Sequence, residues 1–197
     1  MLHYFMTGRT HDLAAITTLT YVFTTQPLAT ISLATLVTAI GANMLGGVAP
    51  DIDQPTGKIW HKIPAGTILG KIVHPFLGTH RSISHSLLGA AIFAFLFQKL
   101  LEYVHTFLLV DIKIVWWTFM FGLVSHLIAD TFTKEGVPWL FPIPIRFGIP
   151  PIKALRITTG KLVETSFVFP GLLVLNAYLI YTNYGKFLDF IRHFVVK

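Results

Sequence analysis

The sequence has 197 residues, of which 53% are hydrophobic and only 12% charged, whereas soluble domains carry about 25% charged residues. The mean hydropathy of +0.66 leaves too little polar surface for a soluble protein of this size and excludes disorder, coiled coil and collagen. The chain has no cysteine, so any metal must be held by His, Asp and Glu. Its formal net charge of +6 fits positively charged cytoplasmic loops, and we expect no nucleic-acid partner.

Four stretches of the chain contain no Asp, Glu, Lys or Arg: 13–50, 82–98, 114–129 and 165–185. A membrane span needs about 20 apolar residues, so the first stretch predicts two helices with a turn at Pro27. The two middle stretches have 17 and 16 residues. They are short for a span, so they either recruit flanking residues or insert only partly.

These stretches predict an all-α integral membrane bundle of four or five helices, forming a single domain over 1–197. The predicted helices are 10–25, 28–49, 82–104, 112–130 and 164–184. Two long Gly- and Pro-rich connections, 51–81 and 130–164, carry an excess of Lys and Arg. Positively charged loops favour the cytoplasm, so we expect a multi-pass inner (plasma) membrane protein with both loops on the cytoplasmic face. The basic C-terminal tail would then lie on the opposite side, against this trend.

If the five helices cross in turn, the ionisable residues at their ends collect at one face. The candidate residues at this face are His11, Asp51, Asp53, His80, His85, His126, Asp130 and Glu164. The opposite face receives His105 and no cluster. Ionisable groups near membrane depth are functional by default, so we expect these side chains to converge in one pocket.

His126 and Asp130 are spaced i, i+4 and share a helix face, which lets one helix supply two metal ligands. The alternative is a hydrogen bond that only stabilises the helix. Asp51 and Asp53 lie between two prolines, in a turn where two carboxylates can share a cation or divide the roles of ligand and base. The alternative there is a solvated turn after a helix.

The segment 79–86 places two imidazoles and one guanidinium around a helix start. Ser82 or Ser84 is the expected N-cap, with His80 in the loop and His85 in the first turn. Arg81 is the expected partner of a phosphate or carboxylate. The alternative is a capping segment with incidental histidines. His11 and Glu164 are weaker candidates, because an interfacial His and a Glu in a first helical turn are both common without a metal.

Several motifs together resemble the YdjM-like family of inner-membrane metal-dependent hydrolases, whose ligand pattern is similar to that of zinc-dependent phospholipase C. They are Pro50-Asp51-Ile52-Asp53, His80-Arg81-x-x-Ser84-His85-Ser86, Ser125-His126-Leu127-x-x-Asp130, Thr133-x-x-Gly136-Val137-Pro138-x-Leu140-x-Pro142, and Gly160 with Glu164. The departures are Ser82 and Ser84, where the family usually has Gly and Thr. The resemblance implies a metal site and leaves the substrate open.

We therefore expect a membrane-bound hydrolase of phosphoesters, such as a lipid phosphate or phospholipid head group. The expected metal ligands are His11, Asp51, His80, His85, His126, Asp130 and Glu164. Imidazole and carboxylate without thiolate suit Zn²⁺, with Mn²⁺ or Fe²⁺ as alternatives. Since this set exceeds the roughly three or four protein ligands of one ion, we expect two ions. Asp51 or Asp53 would orient or deprotonate the water, and Arg81 would balance phosphoryl charge. The alternative function is an ion or proton pathway.

Overall fold

The computed structural model describes residues 8–26, 31–54, 60, 66, 68, 70–71 and 81–195, with side chains to 192. This part of the chain is helical, and its two isolated β-bridges form no strand. The α-helices are α1 (Gly8–Thr25), α2 (Leu33–Val48), α3 (Leu87–Val104), α4 (Ile112–Thr131), α5 (Phe169–Thr182) and α6 (Tyr184–Val195). Short 3-10 turns follow α2 (Ala49–Asp53) and precede α3 (Ile83–His85), and a π-helical turn (Glu164–Val168) leads into α5.

Helices α2 and α4 pack closely because small residues line their contact. A Cβ atom on Gly46 would overlap the Phe119 carbonyl oxygen, and one on Gly122 would overlap that of Asn43. Such contacts allow two backbones to approach closely in a membrane bundle. An apolar core extends from this contact to α3, where the rings of Phe97 and Phe119 stack at 4.0 Å. The contact fixes the C-terminal half of α4 against the end of α2.

Helices α1 and α5 run in the same direction, as two polar contacts between them show. Thr10 donates a hydrogen bond of 2.6 Å to Glu164 at one end, and Asn176 donates one to Thr17 farther along both helices. Near the end of α1, Lys186 of α6 donates to the Thr24 carbonyl and Phe187 stacks on Phe23. The amphipathic α6 therefore lies at the opposite end from Glu164.

The alternation of crossings follows from where the helix ends meet. Asp111, the N-cap of α4, donates its backbone N–H to Thr35 at the start of α2. The ends of α2 and α4 and the starts of α1, α3 and α5 consequently lie at one face, called here the site face. All five predicted helices are present in the described part of the chain, although α2 begins at Leu33 instead of 28 and α3 at Leu87 instead of 82. The predicted turn at Pro27 lies outside the described residues.

Within the described part of the chain, four helices are long and apolar enough to cross a membrane, and their segments are Leu33–Asp53, Leu87–Val104, Ile112–Thr131 and Glu164–Thr182. The two short charge-free stretches thus lie in helices that include flanking residues and are long enough to cross, and partial insertion remains an untested alternative. Helix α1 is not among the four; it contains six threonines, several of which donate to carbonyls of their own helix. No helix was predicted from the sequence over the residues of α6. The predicted N-cap was also wrong: Ser86, not Ser82 or Ser84, caps α3 by accepting from the Gly89 N–H.

Candidate metal centre

Four side chains from three separate elements meet at the site face. Asp51 comes from the 3-10 turn after α2, His85 from the turn before α3, and His126 and Asp130 from the last turns of α4. The two imidazoles are completely buried, whereas Asp51 is 27% exposed. Pro50 is the second residue of the turn after α2. This proline directs the chain out of α2 toward the site.

Their ligand atoms form a compact cluster. The Nε2 atoms of His85 and His126 are 3.3 Å apart, and Oδ1 of Asp51 lies 3.7 Å from each of them. Oδ2 of Asp130 lies 3.4 Å from His85 Nε2 and 3.6 Å from His126 Nε2. Tetrahedral ligands at bond lengths of about 2.0–2.2 Å are separated by about 3.3–3.6 Å. The separations between the two Nε2 atoms and from them to Asp130 fall in this range, and those to Asp51 are slightly longer. The first group whose ligand atoms all lie close enough together to hold a metal is Asp51, His85 and His126.

Both imidazoles are oriented by hydrogen bonds on their Nδ1 side. His126 Nδ1 lies 2.7 Å from the carbonyl oxygen of Gly47, which can only accept a hydrogen bond. Ser84 donates a 2.6 Å hydrogen bond to Asp53, and its oxygen lies 3.0 Å from His85 Nδ1. A proton on Nδ1 of each neutral ring leaves the Nε2 lone pairs facing the cluster. This is the arrangement by which outer groups prepare histidine ligands.

Asp53 is fully buried and supports the cluster from outside. One of its oxygens, Oδ2, accepts the Arg81 backbone N–H at 3.0 Å and lies 3.4 Å from His85 Nδ1. Burial alone would lower the pKa of His85, but the carboxylates of Asp130 and Asp53 outweigh burial and raise this pKa to about 9. The site thus stabilises positive charge at the position of His85.

Arg81 contacts the protein instead of open space. Its Nη2 donates to Asp130 Oδ1 at 2.7 Å, and its Nη1 donates to Thr133 at 2.6 Å. Its side chain is 2% exposed, and its φ of 58° lies in the left-handed region, a costly conformation for a residue other than glycine. Of the two partners predicted for Arg81, a phosphate or a carboxylate, the structure shows the carboxylate of Asp130. Both terminal nitrogens thus hold the cluster and the loop after α4.

His11 lies beside the four-residue cluster. Its ring stacks on that of His126, with centroids 3.8 Å apart, and its Nε2 lies 3.5 Å from Asp130 Oδ1. His11, His126 and Asp130 form a second group close enough to hold a metal. The two groups share His126, so they overlap and do not form two separate sites.

Of the two remaining predicted ligands, Glu164 belongs to neither group. Glu164 is buried, but its Oε1 accepts from Thr10 and its Oε2 from the Gly160 N–H, each at 2.6 Å. It therefore joins the start of α5 to α1, one residue from His11. His80 lies outside the described residues.

Sequence reasoning missed three groups that orient the site: the hydroxyls of Ser84 and Thr133 and the carbonyl of Gly47. Ser84 and Thr133 belong to the motifs that resemble the YdjM-like family. Hydroxyl residues are common at helix ends, however, so these two gave no separate signal. The carbonyl of Gly47 carries no side-chain signal at all. Only the close approach of α2 and α4 reveals it.

The comparisons with known proteins agree with this architecture. The sequence matches the family described as YdjM inner membrane protein over residues 6–187. It is 34% identical over 179 residues to "Uncharacterized protein YvsG" of Bacillus subtilis (strain 168), an alignment that covers 89% of this chain and 95% of the relative. No solved structure matches the chain. A family match over nearly the whole length, together with helices able to span a membrane, shows that this chain is a membrane protein of the YdjM family.

Proposed function

We propose that the protein is a membrane-bound, metal-dependent hydrolase of phosphoesters, with a single divalent cation at Asp51, His85, His126 and Asp130. The observation that carries the proposal is the close spacing of the ligand atoms of Asp51, His85 and His126. Two of these are Nε2 atoms of pre-oriented imidazoles, and Asp130 Oδ2 lies within 3.6 Å of both. Imidazole and carboxylate ligands favour Zn²⁺, with Mn²⁺ or Fe²⁺ as alternatives.

The geometry favours one ion over the two expected from the number of candidate ligands. A second ion at His11 and Asp130 would need His126 as well, and Nδ1 of His126 already contacts the Gly47 carbonyl. Oδ1 of Asp130 is likewise held by Arg81 at 2.7 Å. Apart from the ring nitrogens of His11, the second group therefore has no ligand atom of its own among the described residues.

A divalent cation supplies Lewis acidity to a phosphoryl group and lowers the pKa of a water molecule. The residues of this chain contribute orientation and access. Arg81 and Asp53 fix Asp130 and His85, and these four side chains are almost completely buried. Asp51 is the exposed carboxylate of the cluster, so we assign to it the contact with the attacking water and acceptance of its proton. Asp53 is assigned to orienting His85.

The positive charges of the loops favour a cytoplasmic site face. A site at the membrane surface can take a lipid head group without extracting the lipid from the bilayer. We therefore place a lipid phosphate or phospholipid head group first among the substrates.

The test is metal analysis of the protein purified in detergent, with and without chelation, followed by assays on phospholipid, polyprenyl phosphate and a soluble phosphodiester. We expect about one bound ion per chain, lost in His126→Ala and Asp130→Ala and kept in His105→Ala. His105 is an exposed histidine at the opposite face and is therefore the matched control.

Full metal occupancy in both site variants would refute the metal centre. A metal-loaded wild type that hydrolyses none of the three substrates would refute the hydrolase. Cation flux through vesicles containing that protein would then support the ion pathway.

A further inference from the structure

We infer that a groove between α1, α4 and α5 binds one hydrocarbon chain of a phosphate-bearing membrane lipid and so places its head group beside His11 and Asp130. This inference rests on the proposed function, since it assigns the apolar part of the substrate. It does not depend on the identity of the metal.

The groove lies between α4 and α5 with α1 as its floor, and its volume is about 290 Å³. A single water needs only about 10–15 Å³, and pockets for small molecules begin near 300 Å³. The lining is predominantly apolar. The walls are Ile128 of α4, Phe132 directly after α4 and Leu172 of α5, and the first two are partly exposed at the protein surface.

The hydroxyl groups in the floor do not make the groove polar. Thr17 donates to the Leu13 carbonyl and Thr18 to the Ala14 carbonyl, while Ser125 donates to that of Gly122. Since these hydroxyls are satisfied within their own helices, the floor presents methyl groups and Ala14. Such a surface does not favour water, and an apolar cavity that opens toward the bilayer is filled by hydrocarbon.

One end of the groove adjoins the candidate metal centre. Thr10 and Ala129 line the groove, and the next residues in the chain are His11 and Asp130. Adjacent residues of a helix differ by about 1.5 Å in rise, so this end lies at the depth of the cluster. A lipid with its chain in the groove consequently has its head group at the level of the ligands.

Two basic residues adjoin residues at the same end of the groove, one in the chain and one through a backbone hydrogen bond. Arg9, which is exposed, precedes Thr10, and the Lys134 N–H donates to the carbonyl of the groove residue Ile157 at 3.0 Å. Positive charge beside a membrane surface attracts anionic head groups, at about 1 kcal/mol per Lys or Arg. The groove therefore matches a lipid that combines a hydrocarbon chain with a phosphate.

The experiment uses the full protein in nanodiscs of phosphatidylcholine with phosphatidic acid that carries a diazirine in one acyl chain. After irradiation, we expect saturable labelling of peptides from α1, α4 and α5 that line the groove. Ala14→Phe should reduce this labelling about fivefold or more, because the ring fills the groove. The matched control is Ala91→Phe, since Ala91 is exposed on α3, and its labelling should equal that of the wild type.

Leu172→Trp provides a second obstruction near the deeper end, in case Ala14→Phe does not fold. Competition with unlabelled phosphatidic acid or with polyprenyl phosphate distinguishes an acyl from an isoprenoid chain. Labelling that spreads evenly over the exposed face of α3 and does not change in Ala14→Phe or Leu172→Trp would overturn the inference.

Hydrolysis separates the two proposals. If the groove is labelled but the wild type hydrolyses no substrate, the hydrolase is refuted and the chain-binding groove stands. If long-chain and short-chain substrates are hydrolysed equally by wild type and Ala14→Phe, the groove is refuted and the hydrolase stands.

Discussion

At the scale of single residues, the candidate centre depends on side chains that are not themselves proposed metal ligands. Asp53 receives hydrogen bonds from Ser84 and from the Arg81 backbone, and it lies against the Nδ1 side of His85. Groups of this kind fix ring orientation and increase the basicity of the ligand nitrogen. Their loss typically costs about 10- to 100-fold in metal affinity.

Asp53→Asn should therefore lower the affinity for Zn²⁺ about 10- to 100-fold while leaving the four ligands intact. Competition with a chelator of known affinity measures the change. Asp189→Asn, at an exposed carboxylate of α6 paired with Arg192, should leave the affinity unchanged. Complete loss of metal in Asp53→Asn would instead identify Asp53 as a ligand.

Arg81→Lys tests whether the guanidinium orients Asp130. Lysine keeps the charge, but it cannot donate to Asp130 and Thr133 with the same rigid fork. We expect a lower Tm in detergent, from a loss of about 1–3 kcal/mol, together with weaker metal binding. A variant with unchanged metal affinity and Tm, but with slower hydrolysis, would return Arg81 to the phosphate-binding role expected from the sequence.

At the scale of helices, two contacts hold the site elements in place. The first is the α2–α4 contact through Gly46 and Gly122, which brings His126 to the Gly47 carbonyl. The second is Glu164, which joins α5 to α1 by accepting hydrogen bonds from Thr10 and Gly160. The first contact orients the predicted ligand His126, and the second lies beside the predicted ligand His11.

Gly122→Ala should separate α2 from α4, because the added Cβ overlaps the Asn43 carbonyl oxygen. We expect a destabilisation of about 1–3 kcal/mol, seen as a lower Tm in detergent. Gly41→Ala is the matched control, since a Cβ at Gly41 meets no atom within 4 Å and alanine favours a helix by about 1 kcal/mol. Equal Tm values for both variants would contradict the close contact.

Glu164→Gln should leave metal binding unchanged and weaken the contact between α1 and α5. The glutamine amide nitrogen cannot accept the hydrogen bond that a carboxylate oxygen accepts, so one of the two bonds is lost, at a cost of about 1–3 kcal/mol. Tm and metal content are measured on the same preparation. A loss of metal without a fall in Tm would make Glu164 a ligand, as the sequence analysis proposed.

At the scale of the whole molecule, the order of crossings brings ionisable residues that are far apart in the chain, from His11 to Glu164, to the site face. Charge-free runs were sufficient to predict this order, because hydropathy acts on whole helices and tolerates errors of a few residues at their ends. The same reasoning placed the His and Asp residues at a common face. The sequence did not resolve which of them are within ligand distance, since this depends on the turns at 49–53 and 83–85.

Glu164 and Arg81 illustrate the limit. Both were assigned roles toward a metal or substrate from residue type and position, and each has protein partners that only the packing of distant helices supplies. Residue type alone does not separate a ligand from a group that supports it. The separation needs the positions of the donors, such as the Gly160 N–H and the Thr133 hydroxyl.

The orientation in the membrane can be tested directly because the chain has no cysteine. Single-cysteine variants Lys153→Cys, in the loop at the site face, and Thr106→Cys, at the opposite face, place thiols at exposed positions. In intact cells, a membrane-impermeant maleimide that reaches only the outer side of the membrane should label Thr106→Cys. It should label Lys153→Cys only after lysis. The reverse pattern would place the site outside the cytoplasm.

The dispersion of the four ligands over Asp51, His85, His126 and Asp130 has a consequence for biogenesis. Ribosomal synthesis delivers α2, then α3, then α4 to the membrane, and the last ligand emerges only with the end of α4. Under the proposed function, α2 and α3 would enter the bilayer before the ligand set is complete, so the ion would not guide their insertion. Metal loading would then be a late event, and a chain interrupted before residue 130 would be inserted without a complete site.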